Sequence, residues 1–335
     1  MEEIGRLQIA YLHHYWQRAT ETNQEQRTER GEWDLQNTLL SGLGLNLLET
    51  SRFLHSPKRP AGEVPSFSEF EDWILATNSG NLEEARLSRL RDALAGKPVG
   101  SDAGCLDDVP GLTSEELAFW DENGYVVLHD AVNAADRDAS AAAIYALLDA
   151  DPAVPASWYG NKFGKSIWVP VLRTPALARN RRSPRIVKAF AQLWGREDLW
   201  PTIDQCGLNP PERDGWRFPG PNIHWDMTLA PPHCFGIQGV LYLTDTPAEQ
   251  GAFSCIPGFH RILEKWLKDL PPETDPREAI RHREGFIPIA GRAGDMVIWH
   301  QALPHGSSPN RGRLPRVVQY LTLRPTRWPY THEWK

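Results

Sequence analysis

A chain of 335 residues is long enough to bury one large core or two ordinary ones. Its formal net charge of −7 at pH 7 argues against nucleic acid as the main partner, because a nucleic-acid-binding face is normally basic. The four cysteines show no Cys-x-x-Cys spacing, the N-terminus lacks a secretory pattern, and no apolar run is long enough to span a membrane. We therefore expect a reduced, cytoplasmic protein that does not enter a membrane.

The first hundred residues have helical patterns. Leucines between Leu35 and Leu48 recur at spacings of three and four, which is the period of one helix face. Ser66 and Glu69 form a capping box at the start of a further helix. This stretch has no ligand cluster and no phosphate loop, so residues 1–100 are predicted to be a helical region. Packing is the simplest role for it; a homodimer contact and a docking site for a carrier or partner protein are alternatives.

A segment rich in Gly, Pro and Asp, residues 96–110, is the best candidate for a linker. Thr113 and Glu116 then form a second capping box, which predicts a short helix. The sequence Gly-Tyr-Val-Val-Leu that follows is typical of a strand, and an alanine-rich helix is predicted after it. We place a second domain at residues 111–335.

Short apolar runs separated by turn signals fill the second half of the chain, as in a β-sandwich or barrel. Strands are predicted at residues 203–208, 220–229, 235–243, 251–256, 286–289, 293–299 and 317–323. A helix is predicted from Phe259 to about Leu270. The polar stretch at residues 271–284 is predicted to be a surface excursion, and it is a candidate lid.

His224 and Asp226 stand two positions apart in the predicted strand at residues 220–229. Side chains at positions i and i+2 of a strand point to the same face, so both can bind one metal ion. With 11 His in 335 residues, chance alone predicts nearly one His-x-Asp triplet, so the pair by itself is weak evidence. His282-Arg283-Glu284 is a second acidic triplet, and it lies in a charged stretch that is expected to be a solvated surface. Two histidines and one carboxylate that leave three positions open form the ligand set of non-haem Fe(II) oxygenases.

Two later histidines, His300 and His305, compete for the role of third ligand. They are five positions apart, so on one regular strand they would face opposite ways, and Pro304 makes a break between them. Spacing alone leaves this choice open. His233, in a proline-rich turn, is expected to be a polar loop residue.

The motifs follow one another in a recognisable order. They are His224-Trp225-Asp226, Gly251-Ala252-Phe253, Ile256-Pro257-Gly258-Phe259-His260-Arg261, Gly294-Asp295, His305-Gly306-Ser307 and Arg316. Over roughly residues 111–325 the chain resembles the phytanoyl-CoA dioxygenase family of Fe(II)/2-oxoglutarate oxygenases. The first motif of that family often has Gln at the position of Trp225.

The resemblance implies that His305 completes the metal site with His224 and Asp226, and that His300 packs nearby. It also implies that Arg316 and Ser307 bind the far carboxylate of 2-oxoglutarate. Arg311 and Arg313 are rivals of Arg316, in a stretch predicted to be an exposed turn.

In the family, the segments before the first metal ligand help to line the substrate pocket. Weaker candidates for substrate contact in those segments are therefore Trp158, Lys162, Trp168 and Arg173. Trp225, which stands between His224 and Asp226, is a further weak candidate. The alternative is that the aromatic side chains of these residues pack in the core and that their cations are solvated. Convergence of these cations, with Arg213 and Arg217, would favour an anionic substrate.

The fold implied is mainly β with flanking helices: a double-stranded β-helix, or cupin-like jelly roll, after the helical N-terminal region. The function implied is an Fe(II)- and 2-oxoglutarate-dependent dioxygenase that uses O2 to hydroxylate a small molecule, with release of succinate and CO2. An anionic, carrier-linked or CoA-linked substrate fits, and desaturation, cyclisation or epoxidation are other outcomes. A cupin-like metal-dependent isomerase or hydrolase, and a non-catalytic binding member of the family, are the alternatives.

Overall fold

The structure is a computed structural model that describes residues 4–21, 32–60, 63–80, 82–101, 104–160, 162–170, 173–220 and 222–327. Its α-helices are α1 (Ala10–Thr20), α2 (Glu32–Gly42), α3 (Leu47–Leu54), α4 (Phe67–Thr77), α5 (Glu84–Leu94), α6 (Ser114–Asn123), α7 (Ala134–Leu147), α8 (Pro175–Arg181), α9 (Pro184–Trp194), α10 (Leu263–Asp269) and α11 (Pro276–Ala279). Short 3-10 helices occupy Pro155–Tyr159, Phe259–Arg261 and Ile280–His282. No helix in these ranges is long and apolar enough to cross a membrane.

The strands are β1 (Tyr125–Leu128), β2 (Trp168–Val169), β3 (Leu199–Pro201), β4 (Cys206–Asn209), β5 (Ile237–Tyr242), β6 (Phe253–Cys255), β7 (Ile287–Ile289), β8 (Met296–His300), β9 (His305–Ser307), β10 (Arg316–Tyr320) and β11 (Leu323–Pro325). They form a six-stranded sheet in the order β1-β8-β5-β10-β4-β2 and a three-stranded sheet in the order β7-β6-β9. A two-stranded sheet pairs β11 with β3. Every pairing is antiparallel.

Successive side chains of the central strands point to opposite faces of the large sheet, and both faces are buried. In β8, Met296 and Ile298 pack in one core with the helices α7, α8 and α9. Val297 and Trp299 point the other way, into a second core shared with the small sheet. The side-chain period of two in a strand explains this division. The space between the large and small sheets is where the candidate site lies.

The helical N-terminal region is confirmed, and its capping signals explain where two helices begin. Ser66 and Glu69 exchange hydrogen bonds at the start of α4, and Thr113 and Glu116 do the same at the start of α6. Each pair satisfies backbone N–H groups that a helix end leaves without partners.

The N-terminal helices are packed against the rest of the chain. Trp200 of β3 is 1% exposed and belongs to the core of the N-terminal helices. The guanidinium carbon of Arg89 lies 3.9 Å from the centre of the Trp200 ring. Thr38 donates to the carbonyl oxygen of Thr326 near the other end of the described chain, so the two regions share an extensive contact.

The prediction of a strand at residues 220–229 is wrong. His224 forms only an isolated bridge with His305, and the other described residues of the segment, 220 and 222–229, belong to no strand. Pro219 and Pro221 carry no N–H for a ladder, and the carbonyl groups of Trp225 and Met227 accept from the side chain of Arg277 instead. The predicted metal-ligand pair, His224 and Asp226, therefore lies on a braced loop rather than on a strand.

Candidate active site

His224, Asp226 and His305 meet, with one ligand atom from each lying within 4.8 Å of the others. Asp226 Oδ1 lies 3.4 Å from His224 Nε2, and Asp226 Oδ2 lies 3.4 Å from His305 Nε2. The two histidines exchange backbone hydrogen bonds of 2.9 and 3.0 Å, which places their rings side by side. The three side chains predicted to bind metal are thus brought together by one bridge between a loop and β9.

Both imidazoles are oriented by backbone carbonyl groups. Nδ1 of His224 lies 2.7 Å from the carbonyl oxygen of Asn222, and Nδ1 of His305 lies 2.9 Å from that of Leu303. A carbonyl only accepts, so each Nδ1 carries the proton in the hydrogen bond. The Nε2 atoms are left to face Asp226, which is the arrangement of metal-binding histidines.

The pKa of Asp226 is lowered from its ordinary value. Burial alone would raise it, but the hydrogen bonds and charges of His224 and His305 outweigh that effect. For His224, burial favours the neutral ring, while Asp226 and the Asn222 carbonyl raise the pKa overall. Gln238 also donates to Asp226 Oδ2 over 2.8 Å. The carboxylate is therefore ionised and oriented at neutral pH.

Arg316 opens β10 beside this triad and is 1% exposed. Its Nη1 donates to Ser307 Oγ over 3.0 Å. Nε and Nη2 are buried and have no hydrogen-bond partner among the described residues. A buried guanidinium with unused donors is a site for a planar anion, because carboxylates match the guanidinium fork. The rival residues Arg311 and Arg313 are exposed.

One cavity of about 630 Å³ includes the triad, Arg316 and Ser307. Of the five weaker substrate candidates, Trp168 lines this cavity, with its ring 4.7 Å from that of Tyr320. The other four do not line it. Trp158 and Trp225 are buried in the cores, whereas Lys162 pairs with Asp149 and Arg173 pairs with Glu49.

The cations whose convergence would favour an anionic substrate do not line the cavity. They are Lys162, Arg173, Arg213 and Arg217. The guanidinium carbon of Arg213 instead lies 3.5 Å from the centre of the Tyr159 ring. His233 approaches the Leu229 carbonyl, and His300 packs against Trp120, Phe235 and His260. Neither histidine joins the triad, as expected.

Several cavity residues were not singled out in the sequence. They are Asn46, Leu47, Leu48, Ser51, Asp204, Gln205, Gln238, Thr322 and Arg324. Leu47 and Leu48 were predicted to belong to the apolar face of an amphipathic helix, and they are 46% and 43% exposed. The period of a helix cannot show which leucines face a cavity that other segments complete.

Comparisons with known proteins give distant relatives. The ectoine dioxygenase of Sphingopyxis alaskensis is 24% identical over 243 residues, which cover 64% of this chain and 76% of that protein. A crystal structure of EctD from S. alaskensis with 2-oxoglutarate and 5-hydroxyectoine has a TM-score of 0.47 at 22% identity and covers 65% of this chain and 78% of the other. The epimerase SnoN from nogalamycin biosynthesis has a TM-score of 0.46 at 20% identity, covering 63% and 82%.

The sequence model of the phytanoyl-CoA dioxygenase (PhyH) family matches residues 120–318, which include the triad, Ser307 and Arg316. That range is more than half of the chain. The protein belongs to the phytanoyl-CoA dioxygenase family.

Proposed function

We propose that this protein is an Fe(II)- and 2-oxoglutarate-dependent dioxygenase that hydroxylates a small molecule. The observation that carries the proposal is the position of Arg316: a buried guanidinium with unused donors lines the same cavity as a two-histidine, one-carboxylate triad. The family and the ectoine dioxygenase relative support the same reaction class. The two facing antiparallel sheets suit the double-stranded β-helix that we propose for residues 111–325.

The residues present fit Fe(II). His224, Asp226 and His305 supply two imidazole nitrogens and one carboxylate, a set that leaves positions open for other ligands. The Asn222 and Leu303 carbonyls keep the two Nε2 atoms available, and Gln238 fixes the carboxylate.

The residues present also fit 2-oxoglutarate. Arg316 would pair with its far carboxylate, and the Ser307 hydroxyl lies within reach of the same group. Bound together, Fe(II), 2-oxoglutarate and O2 supply the oxidation that inserts oxygen into a C–H bond, with succinate and CO2 as co-products. The rings of Phe253 and Trp299 pack against His305 and would exclude water from that side of the metal site.

A metal-dependent isomerase or hydrolase would need the triad, but it would have no 2-oxoglutarate carboxylate for Arg316 to bind. A purely binding member of the family gives no reason to keep a full ligand set. The arginine and the triad together therefore favour the oxygenase over both alternatives.

Anaerobic reconstitution tests the proposal. Protein with Fe(II) and 2-oxoglutarate should show the weak visible charge-transfer band of a 2-oxo acid chelated to iron, at one iron per chain. His224→Ala and Asp226→Ala should lose the band while far-ultraviolet circular dichroism shows that they stay folded. His233→Ala is the matched control and should keep it. A band that persists in both ligand variants would show that the metal assignment is wrong.

A further inference from the structure

One wall of the active-site cavity comes from outside the residues that match the family. Asn46, Leu47, Leu48 and Ser51, at the start of α3, line the same cavity as the metal triad. The family match covers residues 120–318, so it includes no part of this wall. The wall therefore comes from a part of the chain that the family match does not describe.

The start of α3 is held firmly in place. Asn46 caps the helix by accepting from the N–H groups of Leu48 and Glu49. Its Nδ2 also donates to the carbonyl oxygen of Ile203 over 2.5 Å. Arg173 adds a second attachment, because it pairs with Glu49 at 2.6 Å and donates to the Gly44 carbonyl over 2.9 Å. These contacts fix α3 to the oxygenase region as a rigid surface.

Leu47 and Leu48 are large apolar side chains that folding leaves uncovered, at 46% and 43% exposure. Trp168 and Tyr320 provide aromatic surface in the same cavity. Removing such surface from water is favourable, so a ligand with an apolar portion would gain affinity here. Because this surface and the triad line one cavity, a ligand that covers the leucines would lie in the same space as a molecule that reacts at the metal site.

We propose that α3 is the specificity wall of this enzyme and that the substrate carries an apolar ring or chain that rests on Leu47 and Leu48. This inference rests on the proposed function, since it assigns the substrate of that same site. The polar end of the cavity binds metal and co-substrate, and the apolar end selects the molecule to be oxidised.

Binding of the neutral fluorescent dye Nile red tests the wall without knowledge of the substrate. The full chain is loaded with Zn(II), which is redox-inert, and with 2-oxoglutarate. Leu47→Asp and Leu48→Asp should each weaken dye binding at least about ten-fold. Both should fold, because the positions are exposed and acidic residues are favourable in the first turn of a helix. Leu314→Asp is the matched control, since Leu314 is 56% exposed and does not line the cavity.

Trp168→Ala should weaken dye binding as well, whereas 2-oxoglutarate affinity should stay within about two-fold in both leucine variants. Equal dye affinity in the leucine variants and the control would overturn the inference, as would a wild-type protein that does not bind the dye. Light scattering on the same samples is a further check: a dimer that both leucine variants dissociate would show that a second copy of the chain covers these residues instead. Failure of wild-type protein to bind 2-oxoglutarate would refute the proposed function, but the dye result would still decide the role of the wall.

Discussion

The guanidinium of Arg277 donates from Nη1 to the carbonyl oxygen of Trp225 over 2.9 Å. Its Nη2 donates to the carbonyl oxygen of Met227 over 2.8 Å. These two carbonyls flank Asp226, so one side chain from α11 holds the backbone on both sides of a proposed metal ligand. The excursion at residues 271–284, predicted as a surface segment and a candidate lid, thus braces the ligand loop.

Arg277→Ala should lower Fe(II) affinity by about 10- to 100-fold, the usual cost of losing a group that orients a metal ligand. The ligands themselves remain, so binding should weaken rather than vanish. Metal titration followed by the charge-transfer band measures the change. Arg281→Ala removes an exposed arginine from the same excursion and should have no effect. Unchanged affinity in Arg277→Ala would mean that the loop is rigid without this brace.

Arg316→Gln should raise the Kd for 2-oxoglutarate steeply and leave Fe(II) affinity nearly unchanged. Removing one side of a buried charge pair costs roughly 3–5 kcal/mol, which is on the order of a hundred-fold to a few thousand-fold in affinity. Arg316→Lys should be only partly tolerated, because a point charge cannot reproduce the fork. Calorimetric titration with Arg313→Gln as the exposed control decides the matter. A large effect in the control alone would move the carboxylate site to Arg313.

Trp200→Ala should destabilise the whole chain by about 3–5 kcal/mol, as expected for truncating a fully buried aromatic. Trp200 comes from β3 but lies in the core of the N-terminal helices, so unfolding of both regions should be one transition. Differential scanning calorimetry measures this, with Leu314→Ala as an exposed control. Two separate transitions, only one of them shifted, would show that residues 1–100 fold independently.

His300 should make the protein sensitive to acid. Burial, with a smaller contribution from the charge of His260, lowers the pKa of His300 from 6.5 to about 3. The unfolded chain therefore binds a proton that the folded chain does not, so stability falls as the pH drops from 6.5 towards 3. The slope is about 1.4 kcal/mol per pH unit for one proton.

Replacing His300 with Asn should remove this loss and keep an acceptor for the N–H of Ala302, which lies 3.0 Å from His300 Nδ1. Between about pH 7 and about pH 5, denaturant unfolding of the metal-free wild type should show about 2 kcal/mol more loss of stability than His300→Asn. Equal losses in the two proteins would place the acid sensitivity elsewhere.

Local signals in the sequence predicted local structure well. The capping boxes at Ser66 and Thr113 act over three residues, so the helices began where predicted. The run at residues 235–243 became β5 because a buried strand needs only apolar, β-branched residues between turns.

Structural features that depend on residues distant in the chain could not be predicted from the sequence. The loop of His224 and Asp226 is held by Arg277, some fifty positions away in sequence. Leu47 and Leu48 fit a helical stripe, and only the tertiary arrangement exposes them to the cavity. The motifs named three side chains that the fold brings together, whereas they gave no sign that Leu47 and Leu48 line the same cavity.

The uneven exposure of the cavity sets an order of events. Arg316 is 1% exposed, while Leu47 and Leu48 remain nearly half exposed. A molecule resting on α3 would occupy the more exposed part of the cavity that also contains the arginine. We expect 2-oxoglutarate to bind before the substrate, and excess substrate to slow the exchange of 2-oxoglutarate without competing for its site. The kinetic mechanism would then be sequential and compulsory, because the proposed carboxylate site at Arg316 is more deeply buried than the proposed substrate surface on α3.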